Sequence, residues 1–168
     1  MIKYMIIDVD GTMTDGGIFY DNYGNEFKKF NTRDAAAFFA LKQSKVQVYV
    51  ITGRESNATA RRMAELGVEN LYQNIKDKYS FIKALMDENR ISKDDLGYIG
   101  DDLNDWHSMI LAGWIGCPKN SCIEVKSIAN YISSFDGGEG AVRDIVEHYL
   151  REKNLWENVI KDVYKIGR

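Results

Sequence analysis

The sequence predicts an α/β fold built on a doubly wound parallel sheet, with a small β-hairpin flap. Three observations predict it. Short apolar or β-branched runs alternate with helix-length stretches from one end of the chain to the other. Three of those runs stop abruptly at polar clusters: Asp8-Val9-Asp10-Gly11-Thr12, Thr52-Gly53-Arg54 and Gly100-Asp101-Asp102. The length, 168 residues, fits one domain spanning 1–168 and leaves little room for a second.

The elements follow in order. Residues 2–8 are a short apolar run ended by turn residues, hence a buried strand. A polar, Gly-rich loop runs to Gly17. Residues 18–20 and 26–30 are aromatic segments around an Asn/Gly cluster, the pattern of a β-hairpin over about 18–30. Its aromatics have little core behind them in sequence and call for cover, another subunit being one source. Residues 35–44 are a helix with Asp34 or Thr32 near its N-cap. Residues 46–51 are a β-branched strand. A helix over 56–66 stops at Gly67, and a short strand covers 70–73. A helix over 77–89, a strand over 96–100 and a helix reaching Ala112 come next. A brief strand at 114–116, a short helix at 123–128 and a strand or loop at 129–133 lead to a Gly-rich break at 137–140. Helices at 141–150 and 155–164 close the chain, the second a continuation or a restart. Such alternation implies right-handed crossovers and helices on both faces of the sheet, a Rossmann-like arrangement.

Composition narrows the function classes. The chain is 45% hydrophobic and 28% charged, as a globular protein is. With 22 basic against 25 acidic residues the net charge is −3, so no basic excess draws in nucleic acid. Every apolar run is far shorter than a membrane span, and the N-terminus enters a strand without a signal-peptide layout, so no membrane partner and a cytoplasmic location are expected. Cys117 and Cys122 lack the spacing of a metal knuckle or redox pair and read as reduced thiols. His107 and His148 are isolated and read as surface or interface residues. Pro118 opens a loop.

In open α/β sheets ligands bind beyond the carboxyl ends of the strands. That rule brings the three polar strand ends to one edge. In a strand, alternate side chains share a face, so Asp8 and Asp10 project together. Two close carboxylates repel unless a cation or a proton lies between them. For these two residues alone, an Asp-Gly turn closing a strand is an equal alternative. Five carboxylates on one edge (Asp8, Asp10, Asp101, Asp102 and Asp105), with no Cys or His, call for a hard divalent ion, Mg²⁺ rather than Zn²⁺. The Thr52 hydroxyl, backbone amides at Gly11, Thr12 and Gly53, and a lysine would complete a phosphate cradle. Lys78 is the candidate lysine, a solvated helix lysine being its ordinary reading.

Asp8-Val9-Asp10-Gly11-Thr12, Thr52-Gly53-Arg54, Lys78 and Gly100-Asp101-Asp102-Leu103-Asn104-Asp105, in that order, resemble the four motifs of the haloacid dehalogenase superfamily of phosphatases. Three further segments, 14–17, 30–34 and 137–143, resemble the subgroup that dephosphorylates 3-deoxy-D-manno-octulosonate 8-phosphate. The resemblance covers most of the chain. It implies a fold with no cap domain, a homotetramer, Mg²⁺ as cofactor and a phosphorylated keto-sugar acid as substrate. It implies Asp8 as nucleophile forming an aspartyl-phosphate, and Asp10 as general acid and base. It places Mg²⁺ on Asp8, Asp101 and the Asp10 backbone carbonyl, with Asp102 or Asp105 behind them or as a further ligand. Thr52 and Lys78 would bind the transferring phosphoryl group. Substrate contacts would come from Asn31, Thr32, Arg33, Asp34, Arg54, Arg62, Asp102 and Glu139. Two departures stand out. Ala35 replaces the usual glycine. Glu139 replaces the arginine usual in octulosonate phosphatases and resembles the enzymes of nine-carbon, sialic-acid-type phosphates, whereas Arg54 resembles the octulosonate group. A catalytically silent oligomerising domain is the remaining alternative of another class.

Overall fold

The computed structural model describes residues 1–166. Its main sheet has six parallel strands in the order β5-β4-β1-β6-β7-β8. They are β1 (Tyr4–Ile7), β4 (Gln47–Ile51), β5 (Asn70–Tyr72), β6 (Leu96–Ile99), β7 (Trp114–Cys117) and β8 (Tyr131–Ile132). β2 (Phe19–Tyr20) and β3 (Glu26–Phe27) pair antiparallel as the expected hairpin. The helices are α1 (Ala35–Gln43), α2 (Asn57–Glu65), α3 (Lys78–Asn89), α4 (Leu103–Met109), α5 (Ile123–Ile128), α6 (Ala141–Glu152) and α7 (Trp156–Tyr164). Among the described residues no helix is long and apolar enough to cross a membrane.

The inner strands β1, β6 and β7 are buried on both faces, and side chains of the sheet alternate between two cores. Met5, Ile7, Val50 and Ile99 face a core completed by α1, α6 and α7, through Leu41, Val142, Ile145, Trp156 and Val159. Ile6, Tyr49, Ile51, Leu96 and Tyr98 face the other, with Ile82 of α3, Met109 of α4 and Val125 of α5. Chain order reverses at β1: β4 and β5 run away on one side, then the chain crosses to β6 on the other. A switch point between β1 and β6 is where open sheets bind ligands.

The last helix restarts, one of the two alternatives expected: α6 ends at Glu152, Asn154 adopts φ 56°, and α7 begins at Trp156. Trp156 is 2% exposed beneath the Arg143 guanidinium, so α7 packs on its own chain. Asp34 stands at the N-cap position of α1, as expected, but its side chain makes no cap hydrogen bond there. Asn31 caps the 3₁₀ turn Thr32–Asp34 by accepting from Arg33 N at 2.9 Å. Asp34 instead accepts from Arg143 N at 2.9 Å, capping the first turn of α6.

Candidate active site

β1 is registered with both neighbours so that Ile7 lies opposite Val50 and Ile99. Asp8 therefore leaves the sheet level with Ile51 and Gly100, one residue short of Thr52 and Asp101. The three polar strand ends converge as the sequence predicts. The turn after β1 is tight: Met13 N and Thr14 N both donate to Val9 O, at 2.9 and 3.0 Å. Gly11 adopts φ 93°, and a Cβ there would overlap the Asp101 carboxylate.

The centre is a buried cluster. Asp8, 2% exposed, accepts from Lys78 Nζ at 2.5 Å, and the same ammonium donates to Asp105 Oδ1 at 2.6 Å. Lys78 is the first residue of α3, set there by Asp77, which accepts from Ser80 N at 3.0 Å. Burial opposes the ammonium charge, but the Asp8 and Asp105 carboxylates outweigh it and hold its pKa above the ordinary lysine value. Tyr98 donates its hydroxyl to Asp105 Oδ1 at 2.8 Å, and Thr12 donates to Asp101 Oδ1 at 2.8 Å. Burial first, then the Asp105 charge, push the Asp8 carboxyl well above the carboxylate range, with Lys78 pulling it back. Burial raises Asp101 to about 7, against the Thr12 hydrogen bond.

Carboxylate oxygens of Asp8, Asp101 and Asp105 lie within 4.8 Å of one another, close enough to share a cation. The donors are unequal. Asp105 is already engaged by Lys78 and Tyr98. Asp8 Oδ2 is buried with no hydrogen-bond partner. An orphaned carboxyl oxygen beside a second carboxyl group, that of Asp101, fits a hard, oxygen-seeking ion. Asp102 has turned outward: it is exposed and caps α4 by accepting from Leu103 N at 2.8 Å.

A second constellation adjoins the first. Asp10 accepts from the Thr52 hydroxyl at 3.2 Å and is ion-paired with Lys28 of the hairpin. Arg54 N donates to Thr52 Oγ1 at 3.3 Å, fixing that hydroxyl. The Arg54 side chain turns to the flap, donating to Glu26 Oε2 at 2.6 Å and to the Tyr20 hydroxyl at 2.9 Å.

The remaining predicted residues spread along the rim. Asn31 donates to Gly138 O at 3.2 Å, joining its turn to the Gly-rich loop. Arg62 donates to Asn31 O at 3.4 Å, and its Nε is buried without a partner. Thr32 is exposed. Arg33 and Glu139 line a cavity of about 320 Å³ with Phe135, Gly140 and Arg143. Glu139 also pairs with Lys29 at 2.5 Å, tying this loop to the hairpin. Asp34 is 1% exposed and occupied with α6, and burial lifts its carboxyl to about 6. The loop at Gly137 and Gly138 lies directly on the loop that follows β1, since a Cβ at Gly137 would overlap Gly11 O and one at Gly138 would overlap Asp15 N. Sequence reasoning missed Lys28, Thr12 and Tyr98 as side chains of the site. For Lys28 a signal existed: in Glu26-Phe27-Lys28, hairpin alternation puts both charges on one face.

No protein-family model matches the chain. Among curated proteins, the 3-deoxy-D-manno-octulosonate 8-phosphate phosphatase KdsC of Yersinia pestis is 36% identical over 156 residues, covering 93% of this chain and 83% of its own length. Among solved structures, the 3-deoxy-D-manno-octulosonate 8-phosphate phosphatase of Moraxella catarrhalis, in complex with magnesium, phosphate and KDO, superimposes with a TM-score of 0.90 at 36% identity. That match covers 96% of this chain and 92% of the other. A structure from Legionella pneumophila, described as a HAD superfamily (subfamily III A) hydrolase, gives a TM-score of 0.91 at 33% identity over 98% of this chain and 90% of its own.

Proposed function

This chain belongs to the 3-deoxy-D-manno-octulosonate 8-phosphate phosphatase family of the haloacid dehalogenase superfamily, and on that footing we propose that it is a Mg²⁺-dependent phosphatase of an eight-carbon keto-sugar acid phosphate, acting through an aspartyl-phosphate on Asp8. One observation carries the reading. Asp8 is buried, clamped by Lys78 through one oxygen and orphaned at the other, beside Asp101.

Asp8 and Asp101 would hold the metal through their side chains and Asp10 through its backbone carbonyl, with Asp105 anchoring Lys78 behind them. When bound, Mg²⁺ supplies the positive charge that lets a carboxylate approach a phosphate dianion. Lys78 adds a fixed charge on the same side and keeps Asp8 in one rotamer. Asp8 attacks phosphorus, the bond to the sugar oxygen breaks, and Asp10 delivers its proton to that oxygen. The deprotonated Asp10 then takes a proton from the water that releases phosphate from Asp8. Thr52 holds Asp10 from one side and, with Lys78, faces the phosphoryl group. A homotetramer and a cytoplasmic setting belong to the same proposal. The exposed hairpin aromatics Phe19, Tyr20, Tyr23 and Phe27 supply a surface for assembly, and free Cys117 and Cys122 suit a reducing compartment.

Phosphate release from eight- and nine-carbon keto-acid phosphates and from simple sugar phosphates, with Mg²⁺ and with chelator, tests the reading. The eight-carbon ester is expected to show the highest kcat/KM, and chelation to abolish turnover. A nine-carbon preference would transfer the assignment to the substrate class that Glu139 resembles. Turnover in chelator would refute metal dependence.

A further inference from the structure

We propose that Lys28, carried on the hairpin, is a positioning residue for the reaction: it fixes the Asp10 carboxyl for proton transfer to the leaving oxygen. This rests on the assignment of Asp10 as general acid.

The hairpin is attached to the body by charge rather than by a core. Phe19 and Phe27, paired with each other on its outer face, are both more than half exposed. The alternate face, Glu26 and Lys28, points into the site. The Lys28 side chain is 1% exposed, although lysine heads rarely leave water without a partner. Its ammonium is paired with Asp10 Oδ1, and with Glu26 Oε1 at 3.2 Å. Glu26 in turn takes Arg54 at 2.6 Å, which follows Thr52 in sequence. The other oxygen of Asp10 accepts from Thr52 at 3.2 Å. Both oxygens of Asp10 thus accept, one from the flap and one from the end of β4, the arrangement its carboxylate reaches once the proton has passed to the leaving oxygen, while a quarter of its side chain (24%) stays open. That combination fixes a carboxyl group without sealing it. Proton transfer needs a heavy-atom approach within hydrogen-bond reach, and a carboxyl held at one oxygen only would swing about its Cα–Cβ bond. The alternative is that Lys28 merely pins the hairpin to the domain.

The two roles separate by leaving group. As the Asp8–phosphorus bond forms and the phosphorus–oxygen bond breaks, an alkoxide must take a proton from Asp10, whereas p-nitrophenolate departs without one. Wild type, Lys28→Met and Lys28→Arg are compared, with Mg²⁺, in steady-state hydrolysis of 3-deoxy-D-manno-octulosonate 8-phosphate and in single-turnover release of p-nitrophenolate from p-nitrophenyl phosphate. For Lys28→Met, kcat on the sugar phosphate is expected to fall about 10²-fold, the lower end of what general acid catalysis contributes, with KM little changed. Single-turnover p-nitrophenolate release is expected to stay near the wild-type rate, and Lys28→Arg to recover part of the lost kcat. Equal losses on both esters, a change confined to KM, or no loss at all would overturn the inference. Should Lys28→Met fail to fold, Lys28→Gln carries the same expectations. A wild-type enzyme inactive on both esters would overturn the phosphatase reading, and the inference with it. Wild-type activity with unaffected variants would overturn the inference alone.

Discussion

Replacing Lys78 by methionine removes the cation that holds Asp8 and Asp105 together. The side-chain volume is nearly kept, so the effect is electrostatic. Lys78 is 3% exposed and contacts the two carboxylates at 2.5 and 2.6 Å. At an effective dielectric of about 20, each contact is worth roughly 6 kcal/mol before desolvation. Burying the ammonium opposes that by several kcal/mol, and breaking a buried pair by removing one partner typically costs about 3–5 kcal/mol. Lys78→Met should therefore lose about 3–5 kcal/mol in urea unfolding without Mg²⁺. Asp105→Asn in the same background removes one stranded charge and should restore much of that loss. Activity should separate from stability. With one preorganised donor gone, kcat is expected to fall about 10²–10³-fold, or about 2.7–4 kcal/mol, and Asp105→Asn should not recover it. A single variant as stable as wild type, or with kcat near wild type, would return Lys78 to an ordinary helix lysine.

Two further predictions probe the surroundings. Gly137→Ala places a methyl group on the Gly11 carbonyl oxygen, so the loop after β1 must shift; a stability loss of about 1–3 kcal/mol is expected. Turnover should fall with it, and full activity would show that the two loops move independently. Asp34→Asn tests a buried carboxyl raised by burial from 3.8 to about 6. Between those values the folded chain keeps a proton that the unfolded chain has released, so this group lowers stability as pH rises, by up to about 3 kcal/mol above pH ~6. Urea midpoints for Asp34→Asn should exceed wild type near neutral pH and converge with it near pH ~4. Unchanged activity would leave Asp34 as the cap of α6, whereas a raised KM would support contact with substrate.

The sheet was legible because its signal is local. Period and turn residues set each strand, and alternation of strand and helix sets the winding. The convergence of Asp8, Thr52 and Asp101 followed from one topological rule. What escaped the sequence depends on contacts distant along the chain. Asp34 reaches Arg143, 109 positions on, and so leaves α1 for α6. Asp102 and Asp105 stand three apart at a helix start, where both face the same way to first order. Tyr98 and Lys78 decide that Asp105 is the buried one. Lys28 reads as one charge among several in a polar hairpin until the fold lays that hairpin over Asp10.

Attack on phosphorus by Asp8 is tested by trapping the phosphoenzyme. Wild-type enzyme mixed with Mg²⁺ and 3-deoxy-D-manno-octulosonate 8-phosphate is quenched in acid, reduced with borohydride and digested for peptide mass analysis. An aspartyl-phosphate is reduced to homoserine, so the peptide containing residue 8 should carry homoserine there, and Asp8→Asn should yield neither that product nor turnover. Homoserine at another aspartate, or sustained turnover by Asp8→Asn, would contradict attack by Asp8.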